Sequence, residues 1–197
     1  MPNIEPLEID ELPAELSAIA DNYQKTMGEV PASFRTMARK PLIAKAYGDL
    51  QKAIAQSITY PAELRSMMFL MQSQASGCLY CQAHSVSALA RSNNVSEEKI
   101  KDLWAFETSA VFSDAERAAL RFTLAVASRP NAASEVEFAG LREHYNEEQI
   151  VEMVAALSVG AFLNTWNDTA ATQLDSKSVE TASANLGERG WTAGKHG

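Results

Sequence analysis

Apolar residues recur three and four positions apart along almost the whole chain, and no stretch alternates apolar with polar residues for long enough to make a half-buried strand. A chain patterned in this way buries its apolar surface by packing helix against helix, so the expected fold class is all-α. Its 197 residues suit one domain, and a composition of 46% hydrophobic and 21% charged residues supplies enough apolar surface for a sizeable core.

The helix boundaries follow from local chemistry. A first helix after Pro13 carries Leu16, Ile19, Ala20, Tyr23 and Met27 on one face and stops at Gly28. Pro41 suits the first turn of a helix running to about Ser57, because its missing N–H would be unpaired there, and Pro61 is expected to do the same for the next helix. That helix fades at Ser76-Gly77, and another starts near Cys78 and ends around Ser92-Asn93-Asn94. Ser96, followed by Glu97 and Glu98, opens a short helix through Trp104. Three capping boxes then start helices of roughly 15, 10 and 25 residues: Ser113 with Glu116, Ser134 with Glu137, and Asn146 with Gln149. The tail after Asp175 is rich in Ser, Thr, Gly and charge and shows no core-facing stripe, so the expected organisation is a helical domain over residues 1–175 and an extended polar arm over 176–197.

Charge narrows the partners. Seventeen Lys and Arg against 25 Asp and Glu give a formal charge of -8 with no basic cluster, which argues against a nucleic-acid partner. No stretch is apolar for the ~18 residues a membrane span needs, and the first residues lack the basic and apolar regions of a signal peptide, so a cytoplasmic protein without a membrane partner is expected. Two cysteines are too few for a disulfide framework, which in a reducing compartment points to metal binding or redox chemistry.

Those two cysteines stand in the segment SGCLYCQAH, residues 76–84. Residues three apart at a helix start lie about 60° apart around the axis, which puts Cys78 and Cys81 within bridging distance. Unpaired N–H groups and the positive end of the helix dipole favour a thiolate there, and this electrostatic argument favours Cys78, the outer residue. His84, one turn beyond Cys81, is placed to accept a thiol proton directly or through a water. Zinc is the rival: Cys78, Cys81 and His84 offer three suitable ligands, but no second CxxC or HxxxH supplies a fourth. His144 and His196 sit in polar surroundings and read as solvated side chains. Further on, Ile150, Val154, Leu157 and Ala161 form a seam that continues onto Asn164 and Asp168, placing polar groups where core residues are expected. Asp168 is thereby a candidate relay carboxylate toward His84, and Glu63 reads as too distant for that task.

The segment from about Pro61 to Arg91 resembles the carboxymuconolactone decarboxylase and AhpD-like alkylhydroperoxidase family, and SGCLYCQAH, FSDAERAAL from Phe112 and FLNTWNDT from Phe162 look like its peroxidase-related branch. The resemblance implies an AhpD-like helical bundle with the CxxC motif at a helix N-terminus and a homo-oligomer that reduces small hydroperoxides. It implies Cys81 as the peroxidatic thiol, Cys78 as the resolving thiol and His84 in a proton relay. An external dithiol restores the pair, and no haem, flavin or metal cofactor is required. The sequence departs from the better-known pattern in two places. The histidine falls three rather than four residues after the second cysteine, and Ser66 stands where a relay glutamate is usual. Two other functions stay open: a carboxymuconolactone decarboxylase-like enzyme, although decarboxylation has no need of two thiols, and a non-catalytic thiol redox sensor.

Overall fold

Prolines, glycines and side-chain caps divide the chain into ten α-helices in the computed structural model, which describes residues 1–92 and 95–197. They are α1 (Ser17–Met27), α2 (Ala32–Met37), α3 (Pro41–Ser57), α4 (Ala62–Ala75), α5 (Leu79–Ser92), α6 (Glu97–Asp102), α7 (Asp114–Ala127), α8 (Glu135–Arg142), α9 (Glu147–Ala170) and α10 (Ser176–Leu186). Among the described residues there is no strand, as the periodicity predicts. Asn93 and Asn94, expected to end α5, lie outside the described residues.

All three capping boxes form, and Ser96 caps α6 by accepting from the Lys99 N–H. Pro41 is the first residue of α3, while Pro61 is the residue before α4. Gly28 ends α1 in the left-handed region that a residue without a Cβ enters freely.

The central element is α4. It packs against α5, α7 and α9, and α5 in turn carries α10 on its other side. The main core gathers Met67 and Met71 of α4, Val86 and Leu89 of α5, Leu120 and Phe122 of α7, Met153 and Leu157 of α9, and Ala182 and Leu186 of α10. A second cluster, built from Leu16, Ala20, Phe34, Met37 and Ala44, covers one end of the bundle. Between the two lies a small group of Cys78, Tyr80 and Cys81 with Phe69, Leu163 and Leu174 packed on it.

The structure differs from the sequence expectation in two places that matter for the site. The residues after Asp175 are not an extended arm. Asp175 accepts from the Ser178 N–H as an N-cap, and Val179, Ala182 and Leu186 then make a stripe at steps of three and four that docks on the core. The chain beyond α10 stays folded onto the bundle, burying Trp191 and His196.

The buried seam of α9 is also shifted. It runs Ile150, Met153, Leu157, Gly160, Asn164, Asn167, whereas Val154 is 40% exposed. Gly160 explains this register, because α4 approaches so closely that a Cβ there would sit 3.0 Å from the Phe69 ring and collide with the Gln72 side-chain carbonyl. Gln72 is itself held by donating to the Leu157 carbonyl at 2.8 Å. Two asparagines therefore face inward at the far end of α9.

Candidate active site

The turn between α4 and α5 fixes the first cysteine. Gly77, at φ +73°, lets the Cys78 N–H reach the Ser73 carbonyl at 3.0 Å while its own N–H reaches Gln74 at 3.1 Å, a Schellman closure that stops α4. Cys78 is then the residue that caps α5. Its carbonyl accepts from Gln82 N–H at 3.0 Å, and its Sγ accepts from the Cys81 N–H at 3.3 Å. The sulfur thus occupies the place a serine or aspartate oxygen takes at an N-cap. The CxxC spacing is the spacing from a cap to the third residue of its helix.

Burial and hydrogen bonds divide the two thiols. Cys78 is pushed below the ordinary thiol value, first by the hydrogen bond from the Cys81 thiol. Burial opposes this, the Cys81 N–H and Asn164 assist, and the charge of Asp168 works against it. Cys81 is pushed up by burial, and then by its bond to Cys78 and the charge forming there. Of the two thiols Cys78 is therefore the one that ionises first, with the Cys81 thiol donating to it.

The asparagines of α9 complete the surroundings. Asn167 donates to Cys81 Sγ at 3.4 Å, and its carbonyl accepts from the Thr172 hydroxyl at 3.0 Å, which fixes the amide's orientation. Asn164 donates to the Ser73 hydroxyl at 3.0 Å and accepts from that of Ser76 at 3.0 Å, tying α9 to the end of α4 beside the thiols. Asn167 has no counterpart among the sequence candidates. The signal that finds it is Gly160, which moves the buried seam by one residue.

His84 lies half-buried on α5 with its ring 4.4 Å from that of Tyr80. Ligand-capable atoms of Glu29, His84 and Asp175 all lie within 4.8 Å of one another, drawn from the turn after α1, from α5 and from the start of α10. Burial raises the Asp175 carboxyl, but its bonds from Ser178 and the charge of His84 prevail and hold it below the usual range. Neither carboxylate was a sequence candidate. Glu29 reaches His84 only through tertiary packing, and Asp175 carried a readable cap signal but no sign of its neighbour.

Asp168 is half-exposed and paired with Lys195 Nζ at 2.8 Å, while its charge reaches Cys78. His196 is fully buried rather than solvated, with Nδ1 2.8 Å from the Thr172 carbonyl and Nε2 3.9 Å from Asp168. Glu63, in the first turn of α4, is half-buried. Replacing Asp168 with asparagine removes a negative charge from the neighbourhood of Cys78. The expected result is a lower thiolate titration midpoint, read from thiolate absorbance against pH in the reduced protein.

Comparison with known proteins adds a lineage to this geometry. The sequence profile described as the carboxymuconolactone decarboxylase family matches residues 41–125. The uncharacterized protein YdfG of Bacillus subtilis strain 168 is 30% identical over 120 residues, covering 60% of this chain and 78% of that protein. The crystal structure of the debrominase Bmp8 without ligand superposes with a TM-score of 0.83 at 30% identity, covering 90% of this chain and 95% of that one. An AhpD-core, peroxidase-related protein from Ralstonia eutropha JMP134 shares the fold at a TM-score of 0.77 and 22% identity, covering 90% of this chain and 94% of that one.

Proposed function

The chain belongs to the carboxymuconolactone decarboxylase/AhpD-like family, and from that premise we propose that it is of the peroxidase-related kind, a thiol-dependent hydroperoxidase cycling between a Cys78–Cys81 dithiol and a disulfide. The observation that carries the reading is the sulfur of Cys78 seated as the cap of α5, accepting from the Cys81 N–H, with bonds from Cys81 lowering its pKa. A thiolate is the nucleophile in peroxide reduction, and a second sulfur within reach resolves the product.

The assignment of roles rests on the family resemblance, which makes Cys81 the attacking thiol. As Cys81 Sγ attacks the O–O bond, its proton crosses to Cys78. The sulfur takes one oxygen as a sulfenic acid, and the alkoxide leaves with a proton from His84. Cys78 then attacks the sulfenic sulfur, its proton joins the departing hydroxide, and the products are the disulfide, an alcohol and water. Glu29 and Asp175 stand beside His84 within 4.8 Å. Asp168, proposed from the sequence as a relay group, acts here through its charge at Cys78. An external dithiol reduces the disulfide.

The apolar lining by Phe69, Leu163 and Leu174 favours an organic hydroperoxide over hydrogen peroxide itself. Exposed Leu42 and Leu50 on α3, with Val151 and Phe162 on the adjoining α9, support assembly into a homo-oligomer. No helix among the described residues is long and apolar enough to cross a membrane.

The likeness to Bmp8 favours a second reading of the same cycle. A cysteine-to-alanine variant of that debrominase is known in complex with 2,3,4-tribromopyrrole, at 29% identity to this chain. A thiol that removed bromine from such a ring would leave a proton on the carbon and form a sulfenyl bromide. The second sulfur would then release bromide and give the same disulfide. Steady-state assays with a dithiol reductant separate the readings: hydroperoxide-dependent turnover is expected, bromide release from tribromopyrrole without peroxide turnover would favour dehalogenation, and stoichiometric oxidation without turnover would favour a redox sensor.

A further inference from the structure

The thiols are shut away from solvent: Cys78 is 0% and Cys81 2% exposed. Phe69, Leu163 and Leu174 pack on them, and the chain beyond α10 seats against two residues beside the sulfurs, Leu79 and Leu174. The Trp191 indole N–H donates to the carbonyl of Leu79, the residue between the cap cysteine and Tyr80, at 3.2 Å. Gly194 sits so close to Leu79 that a Cβ there would lie 2.8 Å from its Cδ1, and at φ +53° its backbone disfavours any side chain.

The same segment is tied down on its far side. The His196 carbonyl accepts from the Leu174 N–H at 2.8 Å and that of Lys195 from Gln173 Nε2 at 3.0 Å, while the Lys195 ammonium pairs with Asp168. The imidazole of His196 stands 6.0 Å from the Tyr80 ring. Leu174, which packs directly on the cysteines, is thus held in place by that segment.

We propose that residues 191–196 form a strap that is the outer wall of the thiol site, and that its seat on Leu79 determines which molecules reach Cys78 and Cys81. The anchors are local: one indole N–H, one close glycine contact, two backbone-directed bonds at residues 173–174, one histidine tether at Thr172, one half-exposed ion pair, and the burial of the Trp191 and His196 rings. Such a local set opens at lower cost than the whole helical core, so the strap lifts while the bundle stays folded. Trp191 and Gly194 are positioning residues for this wall, and neither touches the sulfurs. The inference needs the thiols to be the reacting groups but is indifferent to whether the oxidant is a peroxide or a bromopyrrole.

The test is thiol labelling of the reduced full chain by dithionitrobenzoate, which reports access without any catalytic turnover. In the native protein the labelling rate is expected to stay nearly flat through low urea, because a local opening exposes little new surface, and to rise only where the core unfolds. Trp191→Phe removes the N–H donor but keeps a ring, and should speed labelling about fivefold, the effect of losing one net hydrogen bond. Gly194→Ala unseats the strap from Leu79 and should speed it roughly tenfold or more. Native labelling that climbs with urea as steeply as global unfolding would overturn the proposal. So would rates within about twofold of native in both variants. Where a variant fails to fold, the urea dependence of the native chain still decides.

Discussion

Cys81→Ser is expected to lower dithiol-driven hydroperoxide reduction by at least about a thousandfold, the loss that follows when an enzyme's nucleophile is removed. A serine hydroxyl does not ionise at neutral pH and forms no sulfenic acid, so neither half of the cycle survives. Cys78→Ser has a different signature. The first oxidation slows, because Cys78 no longer takes the Cys81 proton, but it still occurs; the sulfenic acid at Cys81 persists, and added thiol traps it as a mixed disulfide. Both variants should fold. At position 78 a serine oxygen can accept the Cys81 N–H as an ordinary helix cap, and at position 81 it can accept from Asn167. Loss of activity with an unchanged melting temperature therefore reports chemistry. If Cys81→Ser instead kept the first step and Cys78→Ser abolished it, Cys78, the thiol with the lowered pKa, would be the attacking one. Rapid-mixing thiol loss with cumene hydroperoxide, run on both variants, distinguishes these outcomes.

Gly160→Val is expected to destabilise the fold by about 2–3 kcal/mol, the range for forcing added carbon into a packed helix contact. The new side chain would meet the Phe69 ring and the amide of Gln72, which cannot swing away without giving up its bond to the Leu157 carbonyl. For a chain of this size that corresponds to a melting temperature roughly 5–10 °C lower. Because α9 carries Asn164 and Asn167 to the thiols one and two turns later, the same push should disturb their hydrogen bonds at the site and alter the thiolate titration. Gly140→Ala is the contrast. It lies within α8 with nothing inside 4 Å of the added carbon, so replacing the glycine should stabilise by roughly 0.5–1 kcal/mol. Thermal and urea melts of the two variants check both signs.

What the sequence disclosed is what short-range chemistry controls. The boxes at Ser113, Ser134 and Asn146 form because each is complete within four residues, and Gly28 ends α1 for the same local reason. Pairing of the two cysteines at the head of α5 was likewise legible from their spacing. The seam of α9 was not, because steps of four then three and of three then four both fit its apolar residues, and only the close pass of α4 at Gly160 selects the second. That one-residue shift exchanges Asp168 for Asn167 as the group facing the sulfur. The segment after Asp175 hid for a different reason. Its stripe of Val179, Ala182 and Leu186 is short and set among polar residues, and Trp191 and His196 have places only because the chain folds back across α5. The grouping of Glu29 with His84 is likewise a product of packing between distant segments.

The central claim is that Cys78 and Cys81 interconvert between dithiol and disulfide within the folded protein. Intact-mass measurement after adding one equivalent of an organic hydroperoxide to the reduced chain tests it most directly. The account predicts a product lighter by two hydrogen atoms, without free thiols, and returned to the starting mass by a dithiol. An unchanged mass, or a stable gain of oxygen that a dithiol does not reverse, would contradict it.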